Sequence, residues 1–187
     1  MGIGIVGWVV IGVIGLVILW WIATYNRMIV LRNRIDNAWS QVDVQLRRRY
    51  DLIPNLVETV KGYAGHERAT FEEVTKARQA GIDARSVQDQ AQAENLITGA
   101  LRRLFAVAEN YPQLRASENF MQLQEELTGT EGKIAYARQF YNDSVLGYHN
   151  LIQLFPARIV ANMGGFKPRD YFEIEESGAR GPVQVQF

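Results

Sequence analysis

One uncharged run of 23 residues, Gly2 to Thr24, constrains this chain more than any other feature: GIGIVGWVVIGVIGLVILWWIAT. As a helix it measures about 35 Å, enough to cross a hydrocarbon core of about 30 Å with some tilt. Trp20, Trp21 and Tyr25 cluster at its C-terminal end, where amphipathic rings favour the membrane interface. A cleaved signal peptide is the rival reading. It fits less well, because no basic segment precedes the run, the run is long, and no small-x-small site follows it. Gly4, Gly7, Gly12 and Gly15 fall within about 140° of one another on a helical wheel and could form a groove for close helix approach. Glycine is also simply common in membrane helices.

All 20 basic and 20 acidic residues lie from Arg27 onward, and the formal net charge is zero. A neutral chain makes no case for a nucleic-acid partner, which normally calls for a basic excess on one face. There are no cysteines, so disulfides, thiolate metal sites and cysteine nucleophiles are excluded. Arg27, Arg32 and Arg34 follow the span, and the positive-inside rule then places the C-terminal part in the cytoplasm and the N-terminus outside.

Beyond the span, Trp39, Leu46, Ile53 and Val60 recur every seven residues, with Val42, Arg49, Leu56 and Tyr63 three places after each. Alternating steps of three and four make one helical stripe, the pattern of a long helix–helix seam. Two features resist plain helix building. Arg49 puts a guanidinium on the apolar stripe, and Pro54 removes a backbone donor and crowds the carbonyl of Tyr50, so a kink is expected. A weaker stripe through Phe71, Val74 and Ala77 favours one rod continuing to Ala80; a fold-back at Gly62–Gly65 is the alternative. A second helix is predicted over Val87–Asn110, with Ala93, Ile97, Ala100, Leu101, Leu104 and Ala108 on one face, and Ser117 caps the next. The third helix, about Glu118 to Phe155, repeats Phe120, Leu127, Ile134, Tyr141, Tyr148 and Phe155 at heptad spacing, a coiled-coil-like signal. Pro156 ends it, and a short helix over Ala157–Asn162 follows.

The run WSQVDVQLRRRYDLIPNLVETVKGYAGHE closely resembles the signature of the LemA family of bacterial membrane-anchored helical proteins. ENFMQLQEELTGTEGKIAYARQFYNDSV, LFPARIVA and GFKPRDYFEIEE resemble family stretches as well. The resemblance covers nearly the whole chain from the anchor to about Glu176, and implies a single-pass protein of the bacterial inner membrane. The architecture expected is all-α: a transmembrane helix continuing into an elongated antiparallel bundle of three long helices plus a short C-terminal one. The expected divisions are an anchor (1–25), a helical bundle (26–172) and a mobile tail (173–187).

The residues give little sign of chemistry. His66 and His149 belong to no HExxH and to no glutamate–histidine pair of the di-iron type. Glu125 and Glu126 read as a solvated face, and no phosphate loop or nucleophile elbow occurs. No cofactor and no metal are expected. Arg49 either reaches past its neighbours to water or meets a carboxylate and acceptors, Asp143 in the fold-back geometry and Glu125 or Glu126 in the rod; a structural role is favoured over Arg47–Arg49 binding anionic lipid or a partner. The segment GGFKPRDYF offers Phe166, Tyr171 and Phe172 beside Lys167 and Arg169. It either docks a partner or membrane surface, or folds back over the bundle end.

These features point to a non-enzymatic, membrane-anchored scaffold that homo-oligomerises as a ring with parallel anchors. It would organise or recruit membrane components in contact with lipid and a membrane-protein client. In that ring Tyr148, Leu151 and Phe155 lie at subunit contacts. The alternative is a monomeric regulatory adaptor for a membrane protease, transporter or signalling client.

Overall fold

The computed structural model describes residues 4–173. Among them are six helices and no strand: α1 (Ile5–Lys61), α2 (Arg68–Asp83), α3 (Val87–Glu109), α4 (Pro112–Arg115), α5 (Glu118–Gln153) and α6 (Ala157–Met163). The all-helical expectation holds. Gly2 and Ile3 of the apolar run, and the expected tail beyond Glu173, lie outside the described residues. The chain divides into two compact units. One holds residues up to 41 with 139–170, and the other holds 42–138 with the chain from 171 onward.

In the first unit α1 begins as a helix with nothing packed on it. No residue from Ile5 to Ala23 is buried, and its apolar side chains stand open, which is what a span long and apolar enough to cross a membrane requires. Burial begins at Thr24 and continues through Met28, Ile35 and Ala38, a helical stripe. Tyr141, Ser144, Val145, Tyr148 and Ile152 of α5, and Ala157, Val160 and Ala161 of α6, supply the rest of this core. Trp39 and Tyr141 stack at 5.3 Å between ring centroids, and the Arg34 guanidinium lies 5.1 Å from the Phe140 ring. The C-terminal part of α5 therefore meets α1 instead of overshooting as an uncovered helix end. α6 closes with Gly165 at φ 69°, a left-handed position, and the Phe166 amide donates back to the Ala161 carbonyl at 3.0 Å.

In the second unit the predicted rod is corrected. α1 stops at Lys61, residues 62–67 form turns, and α2 folds back along it. The Phe71 ring lies 5.8 Å from the Lys61 ammonium, while Arg78 and Gly81 reach Tyr50. Pro54 supplies a physical reason. It sits inside α1 and cannot donate to the Tyr50 carbonyl, and Arg78 Nε fills that role from α2 at 2.7 Å. The helical assignment runs unbroken through Pro54.

α3 then returns antiparallel to α2, with Arg103 paired to Glu73 at 2.6 Å, and buries all six residues of its predicted face. Its start carries a full capping box between Ser86 and Asp89, whose carboxyl is held below its usual range by the Ser86 hydrogen bonds. The short α4 was not foreseen in the sequence; it buries Leu114 between two polar turns.

Candidate functional site

The most specific side-chain constellation is built around Arg49, in the second unit. The guanidinium is buried on the α1 stripe, where its charge must be answered by protein groups. Its Nη1 donates to Glu94 Oε2 at 2.9 Å, and its Nη2 donates to Glu131 Oε1 at 2.8 Å and Thr98 Oγ1 at 3.3 Å. The two carboxylates differ. Glu94 is completely buried, whereas the Glu131 side chain is 51% exposed. Burial pushes the Glu94 carboxyl above its usual range, and the Arg49 charge opposes that shift.

The neighbouring Tyr50 completes the cluster. Its hydroxyl donates to Glu94 Oε1 and accepts from Gln90 Nε2, so the phenol is held between a carboxylate and an amide. Burial first, then the Glu94 charge, drives this hydroxyl far above the ordinary phenol range, and it stays protonated. Gly81 makes room for it: a Cβ there would stand 2.7 Å from both Cζ and the hydroxyl oxygen. Tyr50 thus joins α1, α2 and α3 through its carbonyl, its ring edge and its hydroxyl.

Neither expected partner of Arg49 is the one found. Asp143 is exposed and belongs to the other unit, and Glu125 and Glu126 are not among the guanidinium's partners. The register explains this, because the fold-back sets Glu131 of α5 level with Arg49, midway between the two alternatives considered. The main partner was legible on another helix. Gln90, Glu94, Ile97 and Leu101 are spaced four, three and four, so two polar residues occupy the first turns of α3's inner face. They mirror the arginine on α1.

A second polar cluster fastens the loop after α6 in the first unit. The Tyr141 hydroxyl donates to the Asp170 carbonyl at 2.8 Å, and the Tyr148 hydroxyl donates to the Lys167 carbonyl at 3.0 Å. His149 Nε2 accepts from the Arg169 amide at 3.0 Å, and Arg169 pairs with Asp36. Burial raises both phenols above their usual range. The aromatic loop folds back on its own chain. Phe166 packs edge-on against Tyr25 at 5.4 Å with Arg32 5.9 Å from its ring; Phe172, counted with the second unit, is buried. Tyr171 is partly covered. Of the three residues expected at subunit contacts, Tyr148 is buried in this core, Leu151 is half-buried and Phe155 is exposed.

Among the described residues, no group of three or more His, Asp or Glu side chains is arranged to hold a metal ion. A solvent-open cleft of about 430 Å³ lies between α2 and α3, with Glu73 and Arg103, already paired, in its wall. The Arg49 cluster forms a lock between helices: the guanidinium pairs with buried Glu94 and half-exposed Glu131, while its own buried Nε has no hydrogen-bond partner among the described residues.

Comparison with known proteins agrees with the signature around these residues. The LemA family model matches residues 38–187. This chain belongs to the LemA family. Magnetosome proteins MamQ 1 and MamQ 2 of Paramagnetospirillum magneticum are each 25% identical over 180 residues, covering 82% of this chain and 66% of their own length. Protein LemA of Metamycoplasma hominis is 26% identical over 152 residues, covering 79% of this chain and 68% of that protein. The chain thus spans just under two thirds of the MamQ proteins. The family match takes in Arg49, Tyr50, Pro54, Gly81, Glu94 and Glu131, the whole of the lock.

Proposed function

We propose that this LemA-family chain is a non-enzymatic, membrane-anchored helical scaffold that assembles with itself and recruits or organises other membrane components. The observation that carries the reading is α1. One helix begins as an apolar span with none of its residues buried and continues past Thr24 into a body where buried Arg49 and Glu94 pair across helices. Its relatives named as magnetosome proteins support a role tied to a membrane-associated structure. The basic residues after the span favour an inner-membrane location with the helical body in the cytoplasm.

Self-association rests on the anchor. Gly4, Gly12 and Gly15 have open space where a side chain would be, so a second span can approach closely and hold the anchors parallel, as a ring requires. The α5 stripe no longer supports assembly, since its own chain buries most of it. That burial favours the second reading, a monomeric adaptor for one membrane client.

The native mass of the full-length protein in detergent separates the two. A closed oligomer that falls apart when Gly12 and Gly15 are changed to leucine supports the scaffold. A monomer at all concentrations overturns it in favour of the adaptor.

A further inference from the structure

α6 has two apolar faces, and only one of them is used. Ala157, Val160 and Ala161 are buried, whereas Leu154, Phe155, Ile159 and Met163 are 64%, 82%, 48% and 75% exposed. Ile159 and Met163 are four residues apart and share one side of α6, and Leu154 and Phe155 stand exposed in the turn that leads into it. Large apolar side chains grouped in this way mark an interaction surface.

Their position identifies the occupant. The segment leaving α6 is packed on the last ring of the apolar span: Phe166 stacks on Tyr25, and a Cβ on Gly164 would lie 3.1 Å from Tyr25. α6 itself is seven residues, about 10 Å, so its entire length lies close to the point where α1 first becomes covered by protein. The adjoining sequence is basic up to the Arg169–Asp36 pair. Residues 23–34 and 154–168 contain Arg27, Arg32, Arg34, Arg158 and Lys167 and not one acidic residue, and all five basic side chains are exposed. An outward apolar face ringed by cations, at the foot of a membrane-crossing helix, has the composition of a segment lying in a lipid interface.

We infer that α6 is a second membrane contact: Leu154, Phe155, Ile159 and Met163 are immersed in the headgroup–acyl boundary of an anionic bilayer, beside the anchor. This rests on the reading of residues 5–23 as a membrane span. The consequence is orientational. A single span leaves a helical body free to tilt and rotate, whereas a second contact about 5–10 Å deep fixes the face that the body turns toward the membrane.

Because the chain has no cysteine, single cysteines can carry an environment-sensitive fluorophore without interference. The full chain is reconstituted in vesicles of phosphatidylcholine and phosphatidylglycerol, with and without lipid bearing a nitroxide near the headgroup. Labels are placed at Ile159, Met163, Leu16 within the span, and Gln41. Gln41 is exposed and about 24 Å along α1 from Tyr25 at the helical rise. Labels at Ile159 and Met163 should lose at least about half their emission to the nitroxide lipid, and the label at Gln41 should be unaffected. Water-like, unquenched emission at Ile159 and Met163 while Leu16 stays shielded in lipid overturns the α6 contact and leaves the anchor standing. Shielded but unquenched emission at those two sites means another protein face covers the patch, and also overturns it. Water-like emission at Leu16 would instead remove the anchor reading, and the α6 contact with it.

Discussion

The two polar clusters solve the same problem, joining distant stretches of chain, by different chemistry. In the second unit two ionisable groups are buried together, the Arg49 guanidinium set against the Glu94 carboxyl. In the first unit neutral phenols, Tyr141 and Tyr148, donate to backbone carbonyls, and the Arg169–Asp36 ion pair remains near solvent. The contrast lies in what each region loses when a partner is removed. A neutral hydrogen bond contributes about 1 kcal/mol net, while a buried charge left alone costs several times more. The charged lock therefore enforces one register among α1, α3 and α5. The phenol cluster holds a loop in place and tolerates its loss.

The largest expected effect follows directly. Arg49→Met strands a buried carboxylate and should lower unfolding stability by about 3–5 kcal/mol; Glu94→Gln strands the guanidinium only in part, because Glu131 remains. Replacing both together, Arg49→Met with Glu94→Leu, should recover most of the loss, as a well-packed apolar pair often matches a buried ion pair. Chemical denaturation of the three variants measures this, and a double mutant no better than the single ones would mean the lock is not a closed pair.

The same cluster has a pH signature. Burial raises the Glu94 carboxyl, so the native state holds its proton longer than the unfolded chain does. Its contribution is fully present below the unfolded carboxyl range and is lost as pH rises through the folded value. The stability difference between the parent and Glu94→Gln should follow that curve; a flat difference from acid to neutral pH would remove burial as the dominant influence.

Next in size is the coupling between Pro54 and Arg78. Arg78→Met leaves the Tyr50 carbonyl without its charged donor and should cost about 1.5–3 kcal/mol. Pro54→Ala restores a helical amide four residues after Tyr50, so the same substitution should cost clearly less in that background. Equal costs in both backgrounds would show that Arg78 acts through something other than the carbonyl that proline leaves open.

Much of this was legible before any coordinates. Heptad spacing located the inner faces of α1, α3 and α5, because side-chain direction along a helix follows from geometry alone. What stayed hidden was which helices meet. The stripe Phe71–Val74–Ala77 fits a continuing rod and a returning helix equally well, since periodicity reports a face and not its neighbour. The misassigned partners of Arg49 follow from that one ambiguity. Glu94 could have been found by asking which other stripe carried a charge of opposite sign. Pro54 marks an opened carbonyl in the sequence itself. The sequence pointed to a missing donor, and α2 supplies it.

The smallest effect sharpens the comparison most, because it applies one chemical change to both regions. Tyr→Phe removes a single hydroxyl and leaves the ring. At Tyr50 that hydroxyl serves a buried carboxylate and accepts from Gln90, so Tyr50→Phe leaves two buried groups unpaired and should cost about 1.5–3 kcal/mol. At Tyr148 it serves one backbone carbonyl in a loop that Tyr141 and His149 also hold, and Tyr148→Phe should cost about 1 kcal/mol. Hydrogen exchange at residues 166–170 should then speed up in Tyr148→Phe, while amides of α3 stay protected. Equal costs at the two positions would mean that the charge on Glu94, and not merely the geometry, has been assigned too much weight.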